Sequence, residues 1–269
     1  MNERIAPQNT RGNSGQTLKN LGYLFLAAGI IGTAIIENKL IKGDASTLAD
    51  SLQNMEASSE TMAMVITGVI LRVVSCCAIP LFLFLLVEGV MHTKSFGCYF
   101  LRIAVLALVS EVPYDLAMHG TPFFFNDQNP VFGLLFGLIM IYFYLVYCKG
   151  KLKSALVYIF VTLICCLWVL IFRVSDGVYM VLLTTTLWIT RNSRRMQLYI
   201  GALVASFCVT LFDFRAGNTI GSMVYLASPL SFLLVFRYNE EPGEGIRWVN
   251  YAAYPALLLS GWIVGRVLF

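Results

Sequence analysis

The feature that most restricts this chain is the return of long apolar runs from one end to the other, parted only by short polar segments. The first, Leu18 to Leu40, holds about 23 residues, and as a helix it would rise roughly 34 Å, enough for a hydrocarbon core of about 30 Å. Further runs at 73–91, 98–118, 131–148, 154–172, 177–190, 196–212, 222–236 and 249–268 make nine in all. The run at 177–190 is the weakest, about 14 residues, and is expected to be tilted or sheltered by its neighbours. Met62 to Leu71 is too short to cross and ends at Arg72, so it is placed as an interfacial or re-entrant segment. With 58% hydrophobic and 13% charged residues, the chain holds about half the charge of a soluble domain, which excludes a water-soluble fold. The expectation is an all-α polytopic membrane protein of about nine transmembrane helices plus one interfacial or re-entrant segment, with residues 18–269 forming a single domain in a lipid bilayer.

Residues 1–17 are polar and include Pro7, Gly12 and Gly15, which suits a flexible cytoplasmic tail rather than a signal peptide. Of the 19 basic residues, twelve fall on the tail and alternate loops, five fall on the other side, and Arg72 and Arg102 lie near or inside the bilayer. The bias puts the N-terminus in the cytoplasm and the C-terminus outside. A net charge of +4 spread over short loops gives no nucleic-acid surface. The seven cysteines fall in or beside apolar runs without metal-finger spacing, so neither a disulfide framework nor a zinc site is expected.

Chemistry concentrates between Ile70 and Gln128, where charges sit in otherwise apolar helices at about 2.5–3.5 kcal/mol each and therefore need partners. If the second and third spans form an antiparallel hairpin turning near Lys94, Glu88 and Arg102 lie at matching depths, as do Arg72 and Asp115. The expected pairs are Glu88 with Arg102, and Arg72 with Asp115 or Glu111. Such pairs either fix helix register or build a polar site, and both readings stand at this point. Pro113 should kink the helix beside Glu111 and Asp115.

The two histidines each follow a carboxylate by one helical turn, His92 after Glu88 and His119 after Asp115, and His92 ranks ahead of His119 as a general base. Its plain alternative is a solvated helix end. Phe123 to Pro130 reads as an interfacial belt and turn, or more sharply as a lid. Asn239 to Gly245 reads as a solvated turn. No phosphate loop, nucleophile elbow or His-Glu-x-x-His motif occurs.

Together these motifs resemble the TraX family, polytopic proteins named for acetylation of conjugative pilin and similar to membrane-bound acyltransferases. The likeness is carried by Leu71-Arg72-Val73-Val74, Ile79-Pro80-Leu81-Phe82, Leu86-Val87-Glu88-Gly89 with His92-Thr93, Tyr99-Phe100-Leu101-Arg102, Ser110-Glu111-Val112-Pro113-Tyr114-Asp115-Leu116 and Gln128-Asn129. Asp176-Gly177 and Tyr254-Pro255 extend it, so it covers most of the chain and is strongest over 70–137. Two departures stand out. The first-span Asp-His pair usual in such proteins falls on Gly29 and Ile30, and Tyr254-Pro255 is followed by Ala256-Leu257-Leu258 instead of a histidine.

The resemblance implies acyl transfer, acetyl in the first place, from a cytoplasmic thioester such as acetyl-CoA to a protein or envelope acceptor at a bacterial inner membrane. His92, Glu111 and Asp115 are then the catalytic candidates, and Arg72, Glu88, Arg102 and Asn129 the substrate-binding ones, with no metal. The departures imply the alternative, a pseudoenzyme that serves as subunit or scaffold beside a membrane-protein partner and needs no cofactor. Intramembrane charges leave a small-solute transporter as the third reading.

Overall fold

In a computed structural model the chain is described over residues 12–32, 59–148, 150–215 and 225–267. The helices there are α1 (Gly15–Ile30), α2 (Ser59–Ser75), α3 (Ala78–His92), α4 (Phe96–His119), α5 (Val131–Tyr147), α6 (Lys151–Ile171) and α7 (Gly177–Ile189). After α8 (Arg194–Arg215) come a 3₁₀ turn at Tyr225–Leu230, α9 (Ser231–Phe236) and α10 (Arg247–Val267). No strand forms among the described residues beyond two isolated bridges, Asn13 with Tyr238 and Gln128 with Val174. The architecture is all-α. Ile66–His92, Phe96–His119 and Leu152–Ile171 are long and apolar enough to cross a membrane, and Val131–Tyr147, Gly177–Ile189 and Ala227–Phe236 are shorter apolar helices.

Local chemistry sets the ends of the helix that carries most of the polar residues. Ser95 caps α4, its hydroxyl accepting from the Cys98 amide. The helix runs through Pro113 and stops at Gly120, which takes φ 70° and donates its N–H to the Leu116 carbonyl. On α1, Ser14 accepts from the Thr17 amide as N-cap. Of the expected tail, residues 12–17 are held: the Asn13 amide donates to the Arg237 carbonyl at 2.8 Å and the Gly15 amide to the Glu241 carbonyl at 2.7 Å. Residues 1–11, like the second half of the first span and the polar stretch after it, lie outside the described residues.

These contacts sort the connections onto two ends of the bundle. The start of α1 meets the start of α10, where Gln16 and Asn250 exchange amide hydrogen bonds of 2.9 and 3.0 Å. The start of α8 joins the same end, because Arg194 reaches Glu88 near the close of α3 at 2.8 Å. At the other end the loop after α4 meets the α6–α7 connection: the Gln128 amide donates to the Arg173 carbonyl and the Ser175 amide to the Gln128 carbonyl, both at 2.9 Å.

The run expected to be the weakest span is the centre of the core. Helix α7 has only 13 residues, and Met180, Val181, Leu183, Thr184, Leu187 and Trp188 are all buried. It packs on α3, α5, α6 and α8. Small residues allow the approach: a Cβ at Gly133 would come within 2.5 Å of the Met180 sulfur, and one at Gly137 within 3.3 Å of Thr184. A hydroxyl cluster adds polar glue, with Tyr144 Oη 2.7 Å from Thr162 and 3.2 Å from Thr185. Helix α6 does the reverse and leaves Leu152, Leu156, Phe160, Leu163, Leu167 and Ile171 exposed.

Two expectations about spans are corrected. Met62 to Leu71 is not a separate interfacial piece: it belongs to α2, which continues past a turn at Cys76 and Cys77 into α3. Both cysteines are buried, and the Cys77 thiol donates to the Ala227 carbonyl at 3.5 Å, so the break packs against the 3₁₀ turn. The run at 222–236 is, where described, a 3₁₀ turn followed by six helical residues. Pro229 and two buried serines, Ser228 and Ser231, break its helical pattern.

Candidate functional site

The polar residues of α3 and α4 divide between two cavities, one at each end of the bundle. The first, about 630 Å³, lies among α1, α3, α4 and α10, with Lys19, His92, Lys94 and Arg102 on a wall otherwise built from Tyr23, Phe82, Tyr99, Asn250 and Tyr251. Arg102 is held in place: its Nε donates to the Cys98 carbonyl at 3.2 Å, and its guanidinium lies 5.8 and 6.0 Å from the Tyr99 and Tyr251 ring centres. His92 is 66% exposed, its Nδ1 2.9 Å from the Glu88 carbonyl and 3.7 Å from the Glu88 carboxylate.

The Glu88–Arg102 pair expected from equal depth is not formed. Glu88 instead takes Arg194 of α8, whose guanidinium lies between the Phe84 and Tyr238 rings at 4.8 and 5.1 Å and reaches Glu240 at 3.8 Å. Burial pushes the Tyr238 phenol in this clasp up to about 12. The acidic turn therefore does more than meet solvent, since it closes the clasp from outside. Equal depth on two rods did not reckon with a third helix bringing a better-placed cation.

The second cavity, about 320 Å³, is walled by Arg72, Ser75, Tyr114, His119, Asp127, Ser175, Asp176 and Tyr254 together with apolar residues of α1 and α10. Between the two cavities lies an apolar neck of about 80 Å³, which shares Tyr23, Phe82, Leu106 and Leu134 with the first and Leu26, Ile79, Pro130 and Tyr254 with the second. The three spaces therefore run in series through the bundle.

The loop Phe123 to Pro130 folds back over the end of α4, and the carboxylates of that helix hold it. Asp115 accepts the Phe124 amide at 2.8 Å. Glu111 accepts the Asn129 amide at 3.2 Å and its side-chain NH₂, which also reaches the Ala107 carbonyl at 2.9 Å. Asn129 in turn caps α5 by accepting from the Val131 amide, and it is fully buried. Arg72 was expected to meet Asp115 or Glu111; those two hold loop donors instead, and Arg72 lies on the wall of the second cavity. Asp115 Oδ1 is left buried without a hydrogen bond among the described residues. Phe123 and Phe125 point outward, as an interfacial belt would, while Phe124 turns in.

The turned-in part of the loop builds a constellation that sequence reasoning missed. Asp127 Oδ2 receives the Tyr114 hydroxyl at 2.8 Å and lies 3.3 Å from His119 Nε2, while the Phe124 ring stacks on the imidazole at 4.0 Å. A carboxylate following three aromatics and preceding Gln128-Asn129-Pro130 was the available signal, but only the fold-back puts it beside His119. Gly29 and Ile30, where the resemblance leads one to expect an Asp-His pair, lie on the same cavity wall, as does Leu258. Both now serve packing. A Cβ at Gly29 would stand 2.6 Å from the Ser75 Cβ, and Ile30 fills the notch left by Gly261, whose added Cβ would be 2.3 Å from it.

Chemically, the first cavity suits an anion with an uncharged arm, and the second offers an imidazole fixed by a carboxylate beside a guanidinium. Compared with known families, the model described as TraX protein matches residues 19–265. No curated protein and no solved structure matches the chain.

Proposed function

The chain belongs to the TraX family, and from that premise we propose that it moves an acyl group, acetyl in the first place, from a cytoplasmic thioester donor to a protein or envelope acceptor. The observation that carries this reading is the first cavity. Its volume of about 630 Å³ falls in the range of small-molecule sites, and Lys19, Lys94 and Arg102 give it the cations that the phosphates of acetyl-CoA require. The excess of basic residues on the tail and alternate loops assigns this end to the cytoplasm, with the N-terminus there and about nine crossings in an inner membrane. Arg102 and Lys94 bind the donor, and His92 lines its entrance. Glu111 and Asp115 act by holding the loop, with Asn129 as its anchor, and Glu88 acts through the clasp.

The test is acetyl-CoA binding to the purified protein in lipid nanodiscs. Saturable binding that Arg102→Ala weakens about tenfold, and that rising salt weakens further, is the expected result. No binding at millimolar donor would sink the reading. A catalytically silent subunit is the second reading, favoured by one observation: Gly29 and Ile30 have become packing residues on the wall of the second cavity. It requires zero turnover and a stability that rises when a membrane-protein partner is co-expressed.

A further inference from the structure

We propose that the second cavity is the acceptor site and that His119, held by Asp127, is the base that takes the acceptor's proton; this rests on the acyl-transfer reading above. Three contacts fix this imidazole. Asp127 lies on its Nε2 side at 3.3 Å and is itself anchored by the Tyr114 hydroxyl at 2.8 Å. Phe124 stacks on one face, and the Tyr114 ring lies nearly perpendicular to the imidazole, 6.1 Å between ring centres. With Nε2–H directed at a carboxylate, the lone pair resides on Nδ1, the tautomer a general base requires. His92 is held less fully: its Nδ1 lies 2.9 Å from the Glu88 carbonyl, but the ring is mostly exposed and the Glu88 carboxylate is 3.7 Å away.

The cavity supplies the remaining needs of acyl transfer. Arg72 lines the same cavity, and it is the guanidinium we assign to the oxygen that turns anionic. The apolar neck admits an acyl thioester arm and excludes phosphates, which stay with Lys19, Lys94 and Arg102. Along α1 the distance from Lys19 to Gly29 is about 15 Å of helix rise, a span for an extended arm and not for the whole donor. In the reaction the acceptor nitrogen or oxygen bonds to the thioester carbonyl carbon while His119 Nδ1 takes its proton. The C–S bond then breaks, and the imidazolium returns that proton to the leaving sulfur. An amine or hydroxyl compound small enough for about 320 Å³, or the tip of a larger one, is the acceptor class.

The experiment uses the full chain in nanodiscs with acetyl-labelled acetyl-CoA, and ethanolamine and glycerol as amine and hydroxyl probes. Donor binding and labelled product are both measured. His119→Gln should lower transfer about 100-fold or more while donor binding stays within twofold. Asp127→Asn should lower it about tenfold or more, and added imidazole should restore part of the rate to His119→Ala. A His119→Gln protein that binds donor and transfers at the unaltered rate overturns the base assignment and leaves the acyl-transfer reading standing. An unaltered protein that binds no donor, or labels neither probe, overturns both. Should His119→Gln fail to fold, Asp127→Asn decides: a loss of rate supports the assignment and an unchanged rate overturns it.

Discussion

The two ends of this bundle handle polar groups in opposite ways. At the first cavity the charges are spread out: Arg102 lies along tyrosine rings, His92 faces solvent, and Glu88 is drawn off to Arg194. At the second the polar groups converge, because one loop folds back and each carboxylate beneath it takes a particular donor. A diffuse cationic wall suits binding, where several weak contacts sum over a flexible anion. A tightly bonded cluster suits chemistry, where one nitrogen must hold one orientation. One helix, α4, thus carries polar groups of both kinds of site, and the elements that pack on its two ends decide which.

The sharpest way to break this contrast is to restore the missing pair. Gly29→Asp with Ile30→His forces a carboxylate against Ser75 and empties the notch at Gly261; a loss of about 3–5 kcal/mol is expected, read as a drop in thermal midpoint in detergent. Asn129→Ala comes next. It removes the side-chain donor to Glu111, which keeps the backbone N–H of residue 129, and takes the acceptor from the Val131 amide, so about 1–3 kcal/mol should go, with transfer falling as the loop loosens. A matched pair of variants then compares the histidines directly: His119→Gln should lose transfer about 100-fold, whereas His92→Gln should raise KM a few-fold and leave kcat nearly unaltered. Equal losses in kcat would dissolve the distinction between the two ends. The smallest effect is expected from Gly22→Ala. Its Cβ would stand 2.8 Å from the Phe82 ring, which walls both the first cavity and the neck. Pushing that ring inward should slow transfer a few-fold, with a smaller change in donor affinity.

Helix class, the crowding of charge between Ile70 and Gln128, and the family likeness were all legible in the sequence, because each depends on local pattern. Partnership was not. Depth along a hairpin says how far Glu88 lies from a turn and nothing about which later helix will stand beside it; Arg194 is remote in sequence and adjacent in space. Along the helix, Asp115 stands one turn before His119 and is the carboxylate that the sequence offers it. The structure gives Asp115 to the Phe124 amide and supplies Asp127 from across the loop. The apolar run at 62–71 looked too short because it was cut at Arg72, although α2 carries that arginine to the rim of a polar cavity and continues to Ser75.

The brevity of α7 reaches beyond packing. Thirteen helical residues rise only about 20 Å, well short of a bilayer interior near 30 Å. Because taller helices surround α7, lipid need not thin to meet its tips, and Asp176 at its start already borders the second cavity. In a bilayer of that thickness, a cavity that reaches the foot of so short a helix would leave a thinner apolar layer to cross than the membrane itself.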